Sequence, residues 1–331
     1  MNDELVSIIV PNYNYERTIG LCLDAIYQQT YPNFEVLVVD DGSTDGSMAI
    51  VRNYDCQLLH TPSNGGVAIA RNLGAKAAQG SVLFFVDSDI ALEPDAVANA
   101  IAAFAGDTTI GSVCGIYAKT PLIRDSLLEE YRSLQAHYWR KSSEGFVTPG
   151  FFSLGAIRKS VFEEIGEFNP KLTQTEEVEY GHRLSKKYKL LLTSTVMGQH
   201  DDDDQFFKLS RKLFERARQR VPLYLKRRKF MRGFETPSRA AGVPFALLAV
   251  VTLLIGLVRP RFLLASASSA AVFLATDAGQ YIFVRRERGL VFTIYFAVVH
   301  LLINAVIGTG LFKGVFDWAI HKEFRDRYLL S

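Results

Sequence analysis

Cysteine is scarce. Cys22, Cys56 and Cys114 lie scattered among apolar neighbours, with no CxxC or Cys/His spacing around them. This argues against a zinc module and against a disulfide framework, and an odd, sparse count fits a reducing compartment. An excess of one charge is also lacking: 37 Lys and Arg against 35 Asp and Glu leave a formal net charge of +2, which speaks against a dedicated nucleic-acid binder. No GxGxxG follows an apolar run, so the dinucleotide-binding fingerprint is missing. The opening Met-Asn-Asp-Glu-Leu leads directly into a strand-like run, and no signal peptide is expected.

What is present is a series of short apolar runs that end in polar clusters. Ser81 to Val86 is continuously apolar and rich in Val and Phe, as a strand buried on both faces would be, and it stops at Asp87-Ser88-Asp89. Leu5 to Val10 is broken by Pro11-Asn12-Tyr13-Asn14, and Phe34 to Val39 stops at Asp40-Asp41-Gly42-Ser43-Thr44-Asp45. Helical spacing separates these runs, with Ser43 or Thr44 as candidate cap of the second helix, and Cys56 to Leu59 reads as a further strand. The alternation predicts an α/β fold with a doubly wound, mainly parallel sheet. Parallel strands joined by right-handed crossovers send their carboxyl ends to one edge, so the three polar clusters should meet in one cleft. Paired carboxylates there suit a hard divalent cation such as Mg2+ or Mn2+.

Further on, a helix is expected over Pro94 to Phe104, a strand over Ile110 to Tyr117 and a helix over Leu127 to Trp139. A strand within Phe151 to Ile157 should follow, then a helix opening at Thr175-Glu176-Glu177-Val178-Glu179, its acids where the helix dipole favours them. A last strand, Leu190 to Val196, leads to His200 and to the run Asp201 to Asp204, which reads as a solvated loop; His182 reads as structural.

Four strings in series, Ser7-Ile8-Ile9-Val10-Pro11-Asn12-Tyr13-Asn14, Val38-Val39-Asp40-Asp41-Gly42-Ser43-Thr44-Asp45, Asn64-Gly65-Gly66 with Ala70-Arg71-Asn72, and Asp87-Ser88-Asp89, resemble an inverting family 2 glycosyltransferase of the GT-A fold, within residues 5–200. The resemblance implies a nucleotide-sugar donor, UDP-linked in the first instance, with Pro11 and Tyr13 lining the base pocket and Asp41 on a uracil-like edge. It implies Arg71 near the diphosphate or donor sugar, Asp87 at the ribose and sugar, and Asp89 on the metal, with His200 as a further metal ligand. The general base falls in Thr175-Glu176-Glu177, where Glu177 stands in place of the usual Asp; Glu176 and Glu179 are the neighbours able to serve instead. A Gln-x-x-Arg-Trp string, which processive members carry, does not occur, which favours transfer of a single sugar. Nor does Pro11-Asn12-Tyr13-Asn14 resemble the glycine-rich basic loop that a nucleotidyltransferase would carry.

The remainder changes character. Residues 206–232 carry eleven Lys or Arg against Glu215 alone, interleaved with apolar residues, and read as a basic amphipathic helix on an anionic membrane surface, divided at Pro222. Three apolar stretches follow: 242–258, of marginal length, and 262–284 and 290–312, long enough to span a bilayer. The expected organisation is therefore a catalytic domain over 1–205, a membrane-surface segment over 206–238 and an all-α transmembrane region with two to three helices over 239–331. The basic residues before the first span predict a cytoplasmic catalytic domain on a multi-pass protein of the cell's inner membrane. Both short loops and the tail are basic as well, a conflict that a re-entrant first segment relieves. Asp277, within the second stretch, should face a lipid headgroup or another helix. A lipid-linked acceptor follows from the attached spans, in envelope or exopolysaccharide synthesis. The alternatives are a bare polyprenyl phosphate as acceptor, or a scaffold of the same fold without catalysis.

Overall fold

A computed structural model of the chain describes residues 4–172, 175–227 and 236–326. In chain order the first elements are β1 (Val6–Asn12), α1 (Ile19–Tyr27), β2 (Phe34–Asp40), α2 (Ser47–Val51), β3 (Gln57–His60), α3 (Val67–Ala77), β4 (Val82–Val86), β5 (Ile90–Leu92) and α4 (Ala96–Gly106). They are followed by β6 (Ile110–Tyr117), α5 (Leu127–Lys141), β7 (Gly145–Val147), β8 (Leu154–Arg158), α6 (Lys159–Ile165), α7 (Glu176–Leu184) and β9 (Lys189–His200). The last five are α8 (Phe206–Arg227), α9 (Pro237–Gly256), α10 (Phe262–Thr276), α11 (Ala278–Ile320) and α12 (Lys322–Asp326).

The chain divides into two compact units. Residues 1–125 and 139–202 form the first; residues 126–138 and 203–331 form the second. The division falls just after Asp202, and it assigns the first turns of α5 to the second unit, which the sequence around Leu127 does not reveal.

The first unit is a mixed sheet in the order β3-β2-β1-β4-β8-β6-β9-β5, with β7 on β9. β3, β2, β1 and β4 run parallel, and β8 enters antiparallel between β4 and β6. Every residue of β1, β4 and β6 is buried, which is why these strands read as unbroken apolar runs rather than alternating ones. Pro11 does not end β1. It sits opposite Val39 within the pairing, and the strand continues to Asn12. β9 is also longer than its apolar core predicts and reaches His200 because β5 pairs with its polar end, Ile90 opposite His200. The second helix is not capped by Ser43 or Thr44; the Asp45 carboxylate accepts from the Ser47 amide at 3.1 Å instead.

In the second unit Pro222 leaves α8 unbroken. The apolar stripe of that helix, Leu209, Leu213, Ala217 and Val221, is buried, and Leu209 and Leu213 join a core with Phe292, Phe296, Val299 and Ile303 of α11. The stripe is thus covered by protein, whereas Phe207 is 86% exposed. Close approach is possible because Gly310 and Gly314 of α11 face the α8 backbone, and Arg218 donates to Asp317 at 2.6 Å, with Lys313 on the same carboxylate. The basic string from 228 to 232 lies outside the described residues. The second apolar stretch is not one helix: it breaks at Asp277, leaving α10 with 15 residues, and Asp277 accepts from Arg239 Nε of α9 at 2.9 Å. α9, over the stretch of marginal length, has 20 helical residues. α11 turns sharply at Gly289, whose φ of +79° a residue with a side chain would resist. Among the described residues two helices, Pro237–Gly256 and Ala278–Ile320, are long and apolar enough to cross a membrane.

Candidate active site

The carboxyl ends of β1, β2 and β4 lie side by side, as the alternation predicts. Ser88, fully buried, donates its hydroxyl to the Pro11 carbonyl at 2.6 Å, and the Asp41 amide donates to the Asn12 carbonyl at 2.8 Å. Asn14 takes a left-handed conformation (φ 59°) and its side-chain oxygen accepts from the Thr44 amide at 2.7 Å. The first two loops are therefore locked to each other, and Tyr13 projects from the locked pair with 43% of its surface exposed.

Asp41 is placed differently from the base-edge position expected of it. Its carboxylate is buried and accepts from Thr61 Oγ1 at 2.6 Å, the Gly65 amide at 3.0 Å and the Gly66 amide at 2.7 Å. It fastens the Asn64-Gly65-Gly66 turn, in which Gly66 has φ +91°, and so sets the start of α3.

Arg71 also departs from expectation. It lies on α3 with 1% exposure, too deep to be an open diphosphate contact. Its Nη2 reaches Asp87 Oδ1 at 2.7 Å and Glu177 Oε1 at 2.8 Å, and its Nη1 lies 3.7 Å from Glu176 Oε1. Its guanidinium also lies 5.7 Å from the centre of the Phe168 ring, and Asn72 beside it clamps Phe168 by hydrogen bonds to both the amide and the carbonyl. Arg71 thus gathers Asp87 at the end of β4 and the first turn of α7 around one cation. Sequence spacing could not show this, because α3 and α7 are separated by a hundred residues of other structure.

The three glutamates of α7 sort by their partners. Glu179 is paired with Arg183 at 2.8 Å along its own helix. Glu176 is buried, 5% exposed, and its Oε2 has no hydrogen-bond partner. Glu177 keeps 21% of its side chain open beside Asp87, which keeps 29%. Burial pushes the Glu177 carboxyl up to about 7 against the pull of Arg71, with Asp87 and Glu176 adding to the rise. The Asp87 carboxyl is likewise raised by burial, opposed by Arg71. The seat of α7 is close: a Cβ at Gly181 would collide with the backbone of Gly150.

Asp89 and His200 lie together next to Asp87. His200 Nε2 lies 3.6 Å from Asp89 Oδ2, and the Asp201 amide donates to the Asp89 carbonyl at 2.9 Å. Asp89 Oδ1 is buried without a hydrogen-bond partner, an arrangement that costs free energy unless a ligand completes it. Carboxylate oxygen and imidazole nitrogen suit Mn2+ or Mg2+ when substrate phosphates supply the remaining ligands, and among the described residues no group of three protein ligands forms. The residues present fit such a cation. Tyr117 and Arg140, which carry no motif, flank His200: Tyr117 stacks on its ring at 4.5 Å and Arg140 lies over Tyr117, while Asp202 Oδ2 lies 3.9 Å from His200 Nδ1.

A Rossmann-like half sheet with its loops locked at one edge, an exposed aromatic, an Asp-x-Asp turn and carboxylates gathered on Arg71 define a domain of the GT-A type. Residues 7–166 match the model of the glycosyl transferase family 2, and this part of the chain belongs to that family. The chain is 29% identical over 181 residues to glycosyltransferase GlyG of Streptococcus pneumoniae, covering 49% of this chain and 59% of GlyG. It is 30% identical over 203 residues to glycosyltransferase AglE of Haloferax volcanii, covering 59% of this chain and 66% of that one. A match of 42% identity over 92 residues, 27% of this chain and 36% of the relative, is to the Escherichia coli UDP-Glc:alpha-D-GlcNAc-diphosphoundecaprenol beta-1,3-glucosyltransferase WfgD. The chain thus spans less than two thirds of the length of these relatives. Among solved structures, a mannosyltransferase from Pyrobaculum calidifontis, in complex with GDP-Man and Mn2+, superimposes with a TM-score of 0.57 at 21% identity, covering 96% of this chain and 88% of that one. This likeness shows the fold.

Proposed function

We propose that the chain is an inverting glycosyltransferase that moves one sugar from a nucleotide sugar to a hydroxyl of a membrane-presented acceptor. The observation that carries the reading is the pair of carboxylates on Arg71: Asp87 accepts from Nη2 at 2.7 Å, and Glu177 Oε1 lies 2.8 Å from the same nitrogen. Asp87 faces the donor side, and Glu177 stands beside it with a carboxyl near neutrality, where a general base works best.

Tyr13 stacks on the nucleobase beside Pro11, and Asp41 acts from behind by holding the Gly65-Gly66 turn. Asp87 orients the donor ribose and sugar. Asp89 and His200 would hold a divalent cation, which would supply positive charge against the charge that develops on the diphosphate leaving group. Glu177 takes the proton of the acceptor hydroxyl while the acceptor oxygen bonds to the anomeric carbon and the bond from that carbon to the diphosphate breaks. Attack opposite the leaving group inverts the anomeric centre. Arg71 holds both carboxylates in place without itself touching the donor.

The two apolar helices and the exposed apolar side chains of α9 to α11, such as Leu254, Leu264, Val291 and Phe312, support anchoring in a membrane. Lys208 and Arg211 of α8 are exposed, which supports contact with anionic lipid headgroups while the apolar stripe of the helix stays on α11. A lipid-linked acceptor draws support from the anchor and from the diphosphoundecaprenol substrate in the name of the relative WfgD. Glu177 favours a hydroxyl acceptor, because a phosphate oxygen needs little help from a base. The donor nucleotide is UDP in the first instance.

The test is release of nucleoside diphosphate by detergent-purified protein with Mn2+ or Mg2+, across UDP- and GDP-sugars and with lipid extract as acceptor source. Metal-dependent turnover supports the reading. Failure to bind any nucleotide sugar would overturn it in favour of a scaffold.

A further inference from the structure

The side chains behind His200 form a column that the reaction outlined above does not use. The His200 and Tyr117 rings lie 4.5 Å apart at 5° to one another, and the Arg140 guanidinium carbon lies 3.7 Å from the centre of the same Tyr117 ring. Two flat groups at those distances cannot share a face, so Tyr117 is sandwiched between the imidazole and the guanidinium.

Arg140 is an unusual occupant of that place. It is 6% exposed, and among the described residues no carboxylate pairs with it. Its Nη1 donates to the Gly115 carbonyl at 2.8 Å, its Nη2 lies 3.4 Å from Ser153 Oγ, and Phe151 flanks it at 4.9 Å. A buried cation with no carboxylate in ion-pair contact is costly; Glu177 feels its charge only at longer range, and the aromatic face returns only part of the loss. Stability alone therefore does not account for the residue. Tyr117 is in turn fixed by a hydrogen bond of 2.7 Å between its hydroxyl and Ser153 Oγ, and the Ser153 carbonyl accepts from the Asp87 amide at 3.0 Å. Ser153 thus ties the column to the Asp87-Ser88-Asp89 turn.

An imidazole ligates through a lone pair in its ring plane, so the plane must be set before a cation can be held. We propose that Tyr117 and Arg140 are positioning residues: they set the plane of His200 so that Nε2 faces Asp89, and thereby fix the second protein ligand of the divalent cation. The inference rests on the glycosyltransferase reading of the site. Ordering one side chain in advance is worth about a tenfold gain in affinity.

The experiment is Mn2+ binding by the full chain in detergent, read from the electron paramagnetic resonance signal of free Mn2+ with UDP or GDP present. Tyr117→Leu should weaken Mn2+ uptake about tenfold, and Tyr117→Phe, which keeps the ring face, should restore most of it. In a His200→Ala background Tyr117→Leu should have no further effect, which a merely structural role would not produce. Arg140→Gln, which keeps a donor for the Gly115 carbonyl, should weaken uptake about threefold and tests the same link if Tyr117→Leu fails to fold. Wild-type affinity in the folded variants, or an equal loss with and without His200, overturns the inference. Absence of Mn2+ uptake by the wild type with either nucleotide counts instead against the glycosyltransferase reading.

Discussion

Arg71 and Glu177 are joined at 2.8 Å, α3 to α7, with Asp87 on the same nitrogen of the arginine. The proposed base is thereby tied to Asp87 through the Arg71 guanidinium, which is itself out of reach of solvent. Arg71→Ala should leave three carboxylates crowded without a counter-charge. Breaking a buried pair in this way costs about 3–5 kcal/mol, so the variant should unfold at clearly lower denaturant concentration. Arg71→Lys should fold better yet turn over at least about a hundredfold more slowly, because a single ammonium cannot hold both carboxylates in register. Urea unfolding and donor turnover measured on the same samples check both.

Asp41 gives a prediction that separates two roles. A carboxylate that reads the nucleobase changes base preference when removed; one that holds the Gly65-Gly66 turn does not. Asp41→Ala should cost about 1–3 kcal/mol of stability and weaken binding of UDP and GDP by the same factor. Titration of both nucleotides into the wild type and the variant makes the comparison.

The raised carboxyl of Glu177 has consequences for pH. Its folded value near 7 lies above the ordinary 4.5, so the folded state binds the extra proton. The contribution to stability is present in full below about 4.5 and is lost as pH rises through about 7. Glu177→Gln should therefore gain thermal stability relative to wild type between pH 5 and pH 8. Turnover runs the other way: wild-type kcat/KM should rise through about pH 7 as the base ionises, and the limb should vanish in the residual activity of Glu177→Gln.

The close contacts in the second unit make their own test. Gly314 faces the α8 backbone at Arg218, so Gly314→Leu should push α8 off α11. The expected cost is about 1–3 kcal/mol, read as a lower melting temperature in detergent. Alkaline carbonate extraction should still leave the variant in the membrane, since α9 and α11 remain.

Much of this arrangement is legible in the sequence, and the limits have physical causes. β1, β2 and β4 are recognisable because strands buried on both faces must be apolar throughout, and their polar ends must then gather at one sheet edge. His200 could be linked to the metal only through the family resemblance; the register of β5 on β9 is what brings it to Asp89. The resemblance implies Arg71 near the diphosphate, where a cation suits the charge, and Asp41 on a uracil-like base edge. Both are instead buried supports, a distinction that depends on partners distant in the chain. The basic stripe of α8 has the same pattern whether its apolar face meets lipid or another helix, so packing on α11 had no separate signal. The break at Asp277 is hidden because an ionisable residue inside an apolar run looks the same whether it interrupts a span or lies within one. Tyr117 and Arg140 carry no motif at all, and only the stacking geometry marks them.

The central claim is that Glu177 is the base beside a donor held by Asp87 and Asp89. Its most direct test is donor turnover by purified wild type, Glu177→Gln and Asp89→Ala, with nucleotide binding measured alongside. The account predicts that Glu177→Gln binds the donor as the wild type does and loses at least about a hundredfold in turnover, while Asp89→Ala loses the dependence on metal. Turnover retained by Glu177→Gln at pH 7 would contradict the account and move the base to another group.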